Sequence, residues 1–266
     1  MNLFKKSINV KAMILAAGKG ERLGPLTKTI PKPMLEVAGR PLMEWTILHL
    51  RELGIVDIVI NLNFNYQHIV EHFGDGEKFG VKINYSYEDM LLGTAGAVKH
   101  AQKLLEDADV FLVLYGDVVS NFDYRLLINK QLENKRKFNS VATILLHKRK
   151  LLKSNSIVEV DGDKNGDGDG RIVKFLERPA GGDLKYICTE EDTWVNSGLY
   201  SFDRSIFNYI DSDSYLDFPK DVFNKLVNEG SIYALSHSGY RMAVDSPERY
   251  FKLCQDVINE RPFSFT

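Results

Sequence analysis

Ala12-Met13-Ile14-Leu15-Ala16-Ala17-Gly18-Lys19-Gly20-Glu21-Arg22-Leu23-Gly24-Pro25-Leu26-Thr27 is an apolar run that opens into glycines and then a cation, and Pro31-Lys32-Pro33-Met34 follows it closely. Ala12 to Ala16 predict a strand. Glycines at 18 and 20, directly after it, let backbone N–H groups approach phosphate oxygens that a Cβ would hold off. Arg22 adds a guanidinium and Lys32 an ammonium, so the segment suits a highly charged polyphosphate. Two commoner glycine motifs do not fit. A P-loop needs a Gly-Lys-Ser/Thr after its first glycine, and the dinucleotide fingerprint G-x-G-x-x-G fails because Gly24 falls one position late.

Outward from this turn, strand and helix alternate. Apolar segments at 12–16, 55–64, 82–87 and 110–115 predict strands, and 41–53, 66–73, 94–106 and 124–136 predict helices, the first closed by Gly54 at C′. The pattern implies an α/β fold: a Rossmann-like, mainly parallel mixed sheet flanked by helices, with ligands at the carboxyl ends of its strands. Asp117 follows the apolar run Val110–Tyr115 and one glycine, so it shares that edge with the glycine turn. Beyond residue 138 short strands dominate (140–148, 157–160, 171–177, 194–203, 232–236), a β-rich insertion expected to complete the crevice. Ser246 as N-cap, Pro247 at N1 and Glu248 start a last helix. We expect a single domain over 1–266, divided at about 137 and 245, with no hexapeptide repeat after it.

Net charge is −2, which gives no electrostatic case for a nucleic-acid partner. Cys188 and Cys254 lack C-x-x-C spacing, so neither a disulfide framework nor a zinc knuckle is indicated, which suits a reducing cytoplasm. The N-terminus does not read as a signal peptide, since Lys11 interrupts the apolar run, and no stretch has membrane-spanning length.

The pattern L-A-A-G-x-G-x-R-L-x-P-L-T followed by P-K-P-M resembles the signature of the sugar-1-phosphate nucleotidylyltransferases, or NDP-sugar pyrophosphorylases. The likeness extends from about Lys11 to Ile258 and recurs in Glu88 with Leu92-Gly-Thr-Ala-Gly96, Tyr115-Gly-Asp117, Leu176-Glu-Arg-Pro179 and Val195-Asn-Ser-Gly198. The resemblance implies an enzyme that combines an NTP and a sugar 1-phosphate into an NDP-sugar and pyrophosphate. The nucleotide would lie on Ala16, Ala17, Gly18, Gly20, Glu88, Gly93 and Thr94, with Arg22 gripping the β/γ-phosphates and Lys32 near the α-phosphate. Asp117 and Asp245 would hold Mg²⁺. Glu177, Arg178, Asn196 and Gly198 would take the sugar phosphate, which makes 11–137 the nucleotide half and 138–245 the acceptor half. A homo-oligomer, dimer or tetramer, is compatible with the resemblance.

Departures from the family pattern leave the substrates open. The usual terminal W-x-D-x-G is replaced by Gly239-Tyr-Arg-Met-Ala-Val-Asp245, with Ala243 where the aspartate belongs. Residues two apart on a strand share a face, so Asp245 can substitute; it can also serve as a helix cap. This variant is similar to glucose-1-phosphate cytidylyltransferases, whereas the L-G-T-A-G run is similar to mannose- or heptose-1-phosphate guanylyltransferases. GTP with a mannose- or heptose-type sugar leads; CTP with glucose 1-phosphate, or a UTP- or dTTP-dependent relative, is the alternative. A nucleotide-sugar sensor without catalysis is a second class. An NAD-linked dehydrogenase fits poorly, since the second strand ends Ile60-Asn-Leu-Asn63 without an acidic ribose ligand.

His68-Ile-Val-Glu-His72 has a zinc-binding spacing but reads as the solvent face of an amphipathic helix. Asp161 to Asp169 begins like a Ca²⁺ loop, yet Ile172 stands at position 12, so a glycine-rich hairpin is the better reading. Lys148-Arg149-Lys150 reads as a solvated basic edge, and Trp45 and Trp194 as core or pocket lining.

Overall fold

The computed structural model describes residues 8–150, 156–161, 168–177, 192–212 and 214–259. Its strands are β1 Val10–Leu15, β2 Glu36–Val37, β3 Arg40–Pro41, β4 Asp57–Leu62, β5 Lys82–Tyr87, β6 Val110–Tyr115, β7 Val118–Ser120, β8 Ala142–Lys150, β9 Ile157–Val160, β10 Gly170–Leu176, β11 Asp192–Phe202, β12 Ile232–Ser236 and β13 Arg241–Ala243. Its α-helices are α1 Leu42–Glu52, α2 Gln67–Phe73, α3 Gly93–His100, α4 Gln102–Leu105, α5 Tyr124–Phe138, α6 Phe223–Asn228 and α7 Pro247–Asn259.

Nine strands form one sheet in the order β5-β4-β1-β6-β11-β8-β12-β10-β9. The first four are mutually parallel. β11 runs antiparallel to both β6 and β8, while β12 is parallel to β8. The anticipated mainly parallel mixed sheet is therefore present. Chain order moves from β1 out to β4 and β5, then returns to β6 on the other side of β1. Such a reversal opens a crevice at the carboxyl ends of the two adjoining strands, where open α/β sheets bind ligands.

Strands buried on both faces need continuous apolar sequence; β6 has it throughout and β1 from Ala12 onward. Met13, Phe111 and Val113 face one core with α3, α4 and the β-rich half. Ala12, Ile14, Leu112 and Leu114 face the other, under α1, α2 and α5. A third cluster ties Leu23 of the glycine loop to Trp45 of α1, to Val119, Met242 and Val244, and to Leu253 of α7. This small core holds the loop after β1 close to the chain's last helix.

The helix expected over 94–106 is two pieces, since Ala101 departs from helical geometry with φ −81° and ψ 8° and α4 starts afresh after it. The anticipated hairpin after Val160 is supported by antiparallel β9/β10 pairing, such as Phe175 opposite Val158; its tip at 162–167 lies outside the described residues. So do Arg178, Pro179 and Cys188. Among the described residues no helix is long and apolar enough to cross a membrane.

Candidate active site

β1 ends at Leu15 and the chain turns sharply. Gly20 takes φ +67°, and a Cβ there would stand 3.2 Å from Thr27 Cγ2 and 3.3 Å from Lys32 Cβ, so this glycine serves the turn itself. Thr27 Oγ1 donates to Gly20 O at 2.9 Å and closes the loop. Gly18 differs: it is exposed, and a Cβ would meet no protein atom within 4 Å. The bare backbone at Gly18 opens into a cavity of about 230 Å³ that Ala16, Ala17, Lys32, Glu88, Gly93, Thr94 and Asp117 also line.

Asn61, at the end of β4, joins two of these elements. Its Oδ1 accepts from Ala16 N at 2.8 Å and its Nδ2 donates to Glu88 Oε1 at 2.6 Å. The second Glu88 oxygen accepts from Leu92 N at 3.2 Å. Burial pushes the Glu88 carboxyl above its ordinary range, and the two hydrogen bonds pull it partly back. Glu88 thus braces the wall of the cavity, with both oxygens engaged by the protein.

The Leu92-Gly-Thr-Ala-Gly96 run opens α3 and is pressed against the loop at 214–217. Gly93 has φ +72°, and a Cβ would fall 2.5 Å from Leu216 O; one on Gly96 would fall 2.6 Å from Ser214 O. Asp217 Oδ1 accepts from Thr94 N at 3.1 Å, and Thr94 Oγ1 accepts from Phe218 N at 2.9 Å. Both glycines are therefore required by this close approach. Tyr215 and Asp217, which line the same cavity, carry no motif and were missed in the sequence.

Gly116 lets the ends of β1 and β6 touch: its N–H donates to Leu15 O at 2.9 Å, and a Cβ would stand 2.7 Å from that oxygen. Asp117 thereby comes to the glycine loop, and its Oδ2 accepts from Lys32 Nζ at 2.7 Å. The β7/β13 ribbon brings in the far end of the chain, with Ala243 opposite Val118 and Val244 N donating to Asp117 O at 2.8 Å. Residues alternate along this ribbon. Met242 and Val244 go into the third core, while Arg241, Ala243 and Asp245 face a second cavity. Asp245 pairs with Arg249 Nη1 at 3.0 Å and lies 3.9 Å from Arg22 Nη1. The cap of α7 is Ser246, whose Oγ accepts from Arg249 N at 3.4 Å.

This second cavity, about 360 Å³, shares only Tyr115 and Asp117 with the first. Glu177, Asn196 and Gly198 line it, as does Arg22, whose side chain is 68% exposed. Glu177 accepts a hydrogen bond from Ser156 Oγ. Asn196 sits at a break in the β8/β11 register, accepts from Gly198 N at 2.9 Å and donates to Tyr200 Oη at 2.8 Å. Gly198 has φ +71°, and a Cβ would stand 3.2 Å from the Tyr115 ring.

Arg149, Arg241 and Arg249 also face the second cavity, and none of them was identified from sequence. The reading of Lys148 to Lys150 as a solvated edge is corrected at Arg149: side chains alternate on β8, so Lys148 points to solvent over the Trp194 ring, 4.8 Å away, while His147 and Arg149 turn inward. Arg241 donates twice to Ser197 O, from Nε at 2.8 Å and Nη2 at 2.5 Å. Burial, with Arg249 and Arg149 nearby, pushes its guanidinium down to about 10, still charged at neutral pH. Burial, with Arg241, Arg149 and Arg249 nearby, pushes His147 down to about 3, so it is neutral there. The alternation that located Asp245 was sufficient to find Arg241, and Arg249 lies one helical turn beyond Asp245.

The oxygen donors Asp117 and Asp245 suit a hard cation. Among the described residues no group of three or more His, Cys, Asp or Glu could hold a metal alone. That set fits Mg²⁺, which keeps waters and relies on one or two carboxylates plus substrate phosphates. His72, of the zinc-like spacing, pairs instead with Glu44 Oε2 at 2.8 Å.

The family model described as nucleotidyl transferase matches residues 11–256. A UTP–glucose-1-phosphate uridylyltransferase of Synechocystis sp. is 35% identical over 94% of this chain and 64% of its own length. A mannose-1-phosphate guanyltransferase of Yarrowia lipolytica is 30% identical over 91% of this chain and 62% of its own length. The chain thus spans less than two thirds of these relatives. A Bacillus anthracis protein described as a glucose-1-phosphate thymidylyltransferase, solved with a sucrose, superposes with a TM-score of 0.80 at 22% identity, covering 97% of both chains.

Proposed function

The chain belongs to the nucleotidyl transferase family, and we propose that it transfers a nucleoside monophosphate from an NTP to a sugar 1-phosphate, releasing pyrophosphate. The observation that carries this reading is the pair of cavities meeting at Asp117, one floored by the bare backbone at Gly18 and the other lined with arginines. Two anionic substrates, one in each, would meet at that carboxylate. In the transfer, an oxygen of the sugar phosphate bonds to the α-phosphorus as the bond to the β-phosphate oxygen breaks, and pyrophosphate leaves with that electron pair. The attacking oxygen is already ionised at neutral pH, so no general base is needed. Catalysis then consists of alignment and charge neutralisation.

Lys32 neutralises charge at the α-phosphate, a role its contact with Asp117 supports. Arg22 receives the departing pyrophosphate. Backbone amides of the Gly18 turn take the nucleotide phosphates, while Glu177, Asn196 and Gly198 orient the sugar, aided by Arg178. Asp117 and Asp245 would hold Mg²⁺, which when bound supplies further neutralisation of the phosphate oxygens. The reading includes a cytoplasmic enzyme acting on free metabolites.

For the substrates, GTP with mannose or heptose 1-phosphate leads from the L-G-T-A-G run. UTP with glucose 1-phosphate is the second reading, favoured by the engagement of both Glu88 oxygens within the protein, which leaves that carboxylate less able to read the two N–H groups of a guanine. The test is a matrix of each NTP against glucose, mannose and heptose 1-phosphates with Mg²⁺, read as pyrophosphate release. Release with one pair names the substrates. No release from any pair overturns the transferase, and nucleotide-sugar binding without turnover would identify a sensor.

A further inference from the structure

We propose that Arg149 binds the phosphate of the acceptor sugar. This deepens the transferase reading and rests on it. Arg149 faces the second cavity together with Asp117, Asp245, Glu177 and Arg249. The other arginines there already face partners: Arg22 lies 3.9 Å from Asp245, Arg249 holds Asp245, and Arg241 is spent on the Ser197 carbonyl. The Arg149 side chain has no hydrogen-bonded or ion-paired partner among the described residues. A half-buried guanidinium with no anion in contact is unfavourable and attracts one.

The register of the sheet locates it. Asn196 is opposite Leu146, and three residues further along Thr193 is opposite Arg149. The Arg149 backbone is therefore about 10 Å beyond the Asn196 row, a distance that a guanidinium on its long stem largely recovers. It comes close enough to Arg249 and Asp245 for their charges to act on it; burial and Arg249 lower its pKa, and Asp245 opposes them. A phosphomonoester dianion supplies two charges and several acceptor oxygens, which suits a planar fork better than a single neutral hydroxyl would. The Gly18 turn proposed for the nucleotide, by contrast, opens into the cavity on the other side of Asp117, which Arg149 does not line, and within the second cavity the departing pyrophosphate is given to Arg22.

The test compares wild type, Arg149→Gln, Arg149→Lys and the outward-facing control Lys148→Gln. Binding of glucose 1-phosphate and mannose 1-phosphate is read directly by calorimetry, alongside KM for each substrate where turnover occurs. We expect Arg149→Gln to weaken sugar 1-phosphate binding about 10- to 100-fold, the loss of a charge-assisted hydrogen bond. NTP binding should change less than about threefold, Arg149→Lys should recover part of the loss, and Lys148→Gln should match wild type. Equal affinity of wild type and Arg149→Gln overturns the inference while leaving the transferase intact. A wild type that binds neither sugar phosphate overturns both. Parallel losses in NTP and sugar phosphate binding would mark general damage to the site and also overturn it.

Discussion

Replacing Asn61 by alanine should damage both stability and nucleotide binding, with a characteristic pH dependence. Asn61 is 3% exposed and Glu88 6%. The substitution strips Ala16 N–H of its acceptor at 2.8 Å and Glu88 of its donor at 2.6 Å. A buried N–H left unpaired costs about 1–3 kcal/mol, and a lost hydrogen bond to a charged group about 1.5–3 kcal/mol. Neighbouring losses do not simply add, so the expected total at pH 8 is about 3–5 kcal/mol. That is a large share of the roughly 5–15 kcal/mol that holds a folded domain together.

The sign of the pH dependence follows from Glu88. Its folded pKa already lies above the ordinary carboxylate value because of burial, and losing the Asn61 donor raises it further. A carboxyl with a raised folded pKa binds protons more readily folded than unfolded, so stability falls as pH rises from the unfolded to the folded pKa. The variant extends that fall to higher pH. The gap between wild type and variant should therefore be widest at pH 8 and narrow towards pH 5. Urea titrations followed by tryptophan fluorescence at both pH values measure it, and NTP affinity reports on the displaced Ala16 turn. Equal gaps at pH 5 and pH 8, or a loss below about 0.5 kcal/mol, would refute the bracing role.

Gly18→Val should leave the melting temperature within about 2 °C of wild type, because no protein atom stands near the new side chain, and should weaken NTP binding about tenfold or more; unchanged affinity would remove the nucleotide from this turn. Gly93→Ala should destabilise by about 2–4 kcal/mol, since its Cβ would meet Leu216 O at 2.5 Å with φ at +72°, and an unchanged denaturation midpoint would show that the loop at 214–217 yields freely. Asp117→Ala should lower kcat about 100-fold or more with the fold retained by circular dichroism, and near-normal turnover would refute its role. Asp245→Asn should weaken the dependence on Mg²⁺ in a metal titration, while an unaltered titration would leave Asp245 only its ion pairs.

Much of the fold was legible because local pattern and tertiary burial agree. β5 and β6 lie at 82–87 and 110–115 as read, each an element bounded by turn residues. The break at Ala101 was not legible, since alanine is a strong helix former and nothing local marks it. At the site, Gly18, Lys32 and Asp117 were visible because a phosphate turn, a cation and a strand-end carboxylate have recognisable neighbours. Asn61 was read only as a poor ribose ligand, although a polar residue ending a buried parallel strand was itself a signal. Arg149 was misread because a run of three cations resembles a solvated edge, and only alternation on a strand whose inner face lines a cavity separates the middle one from its neighbours.

Composition and order alone determined the chemistry available here: a backbone bare at Gly18, cations at 22 and 32, and carboxylates at 117 and 245, set at the ends of apolar strands. Which of these groups meet was decided by the tertiary structure. The return from β5 to β6 across β1 brings Lys32 to Asp117, and the β7/β13 ribbon carries Asp245 from the far end of the chain to the same place. The physical reason is range. Propensity and periodicity act over a few residues, whereas a site of paired charges depends on contacts spanning most of the chain, which only the packed sheet and its register specify.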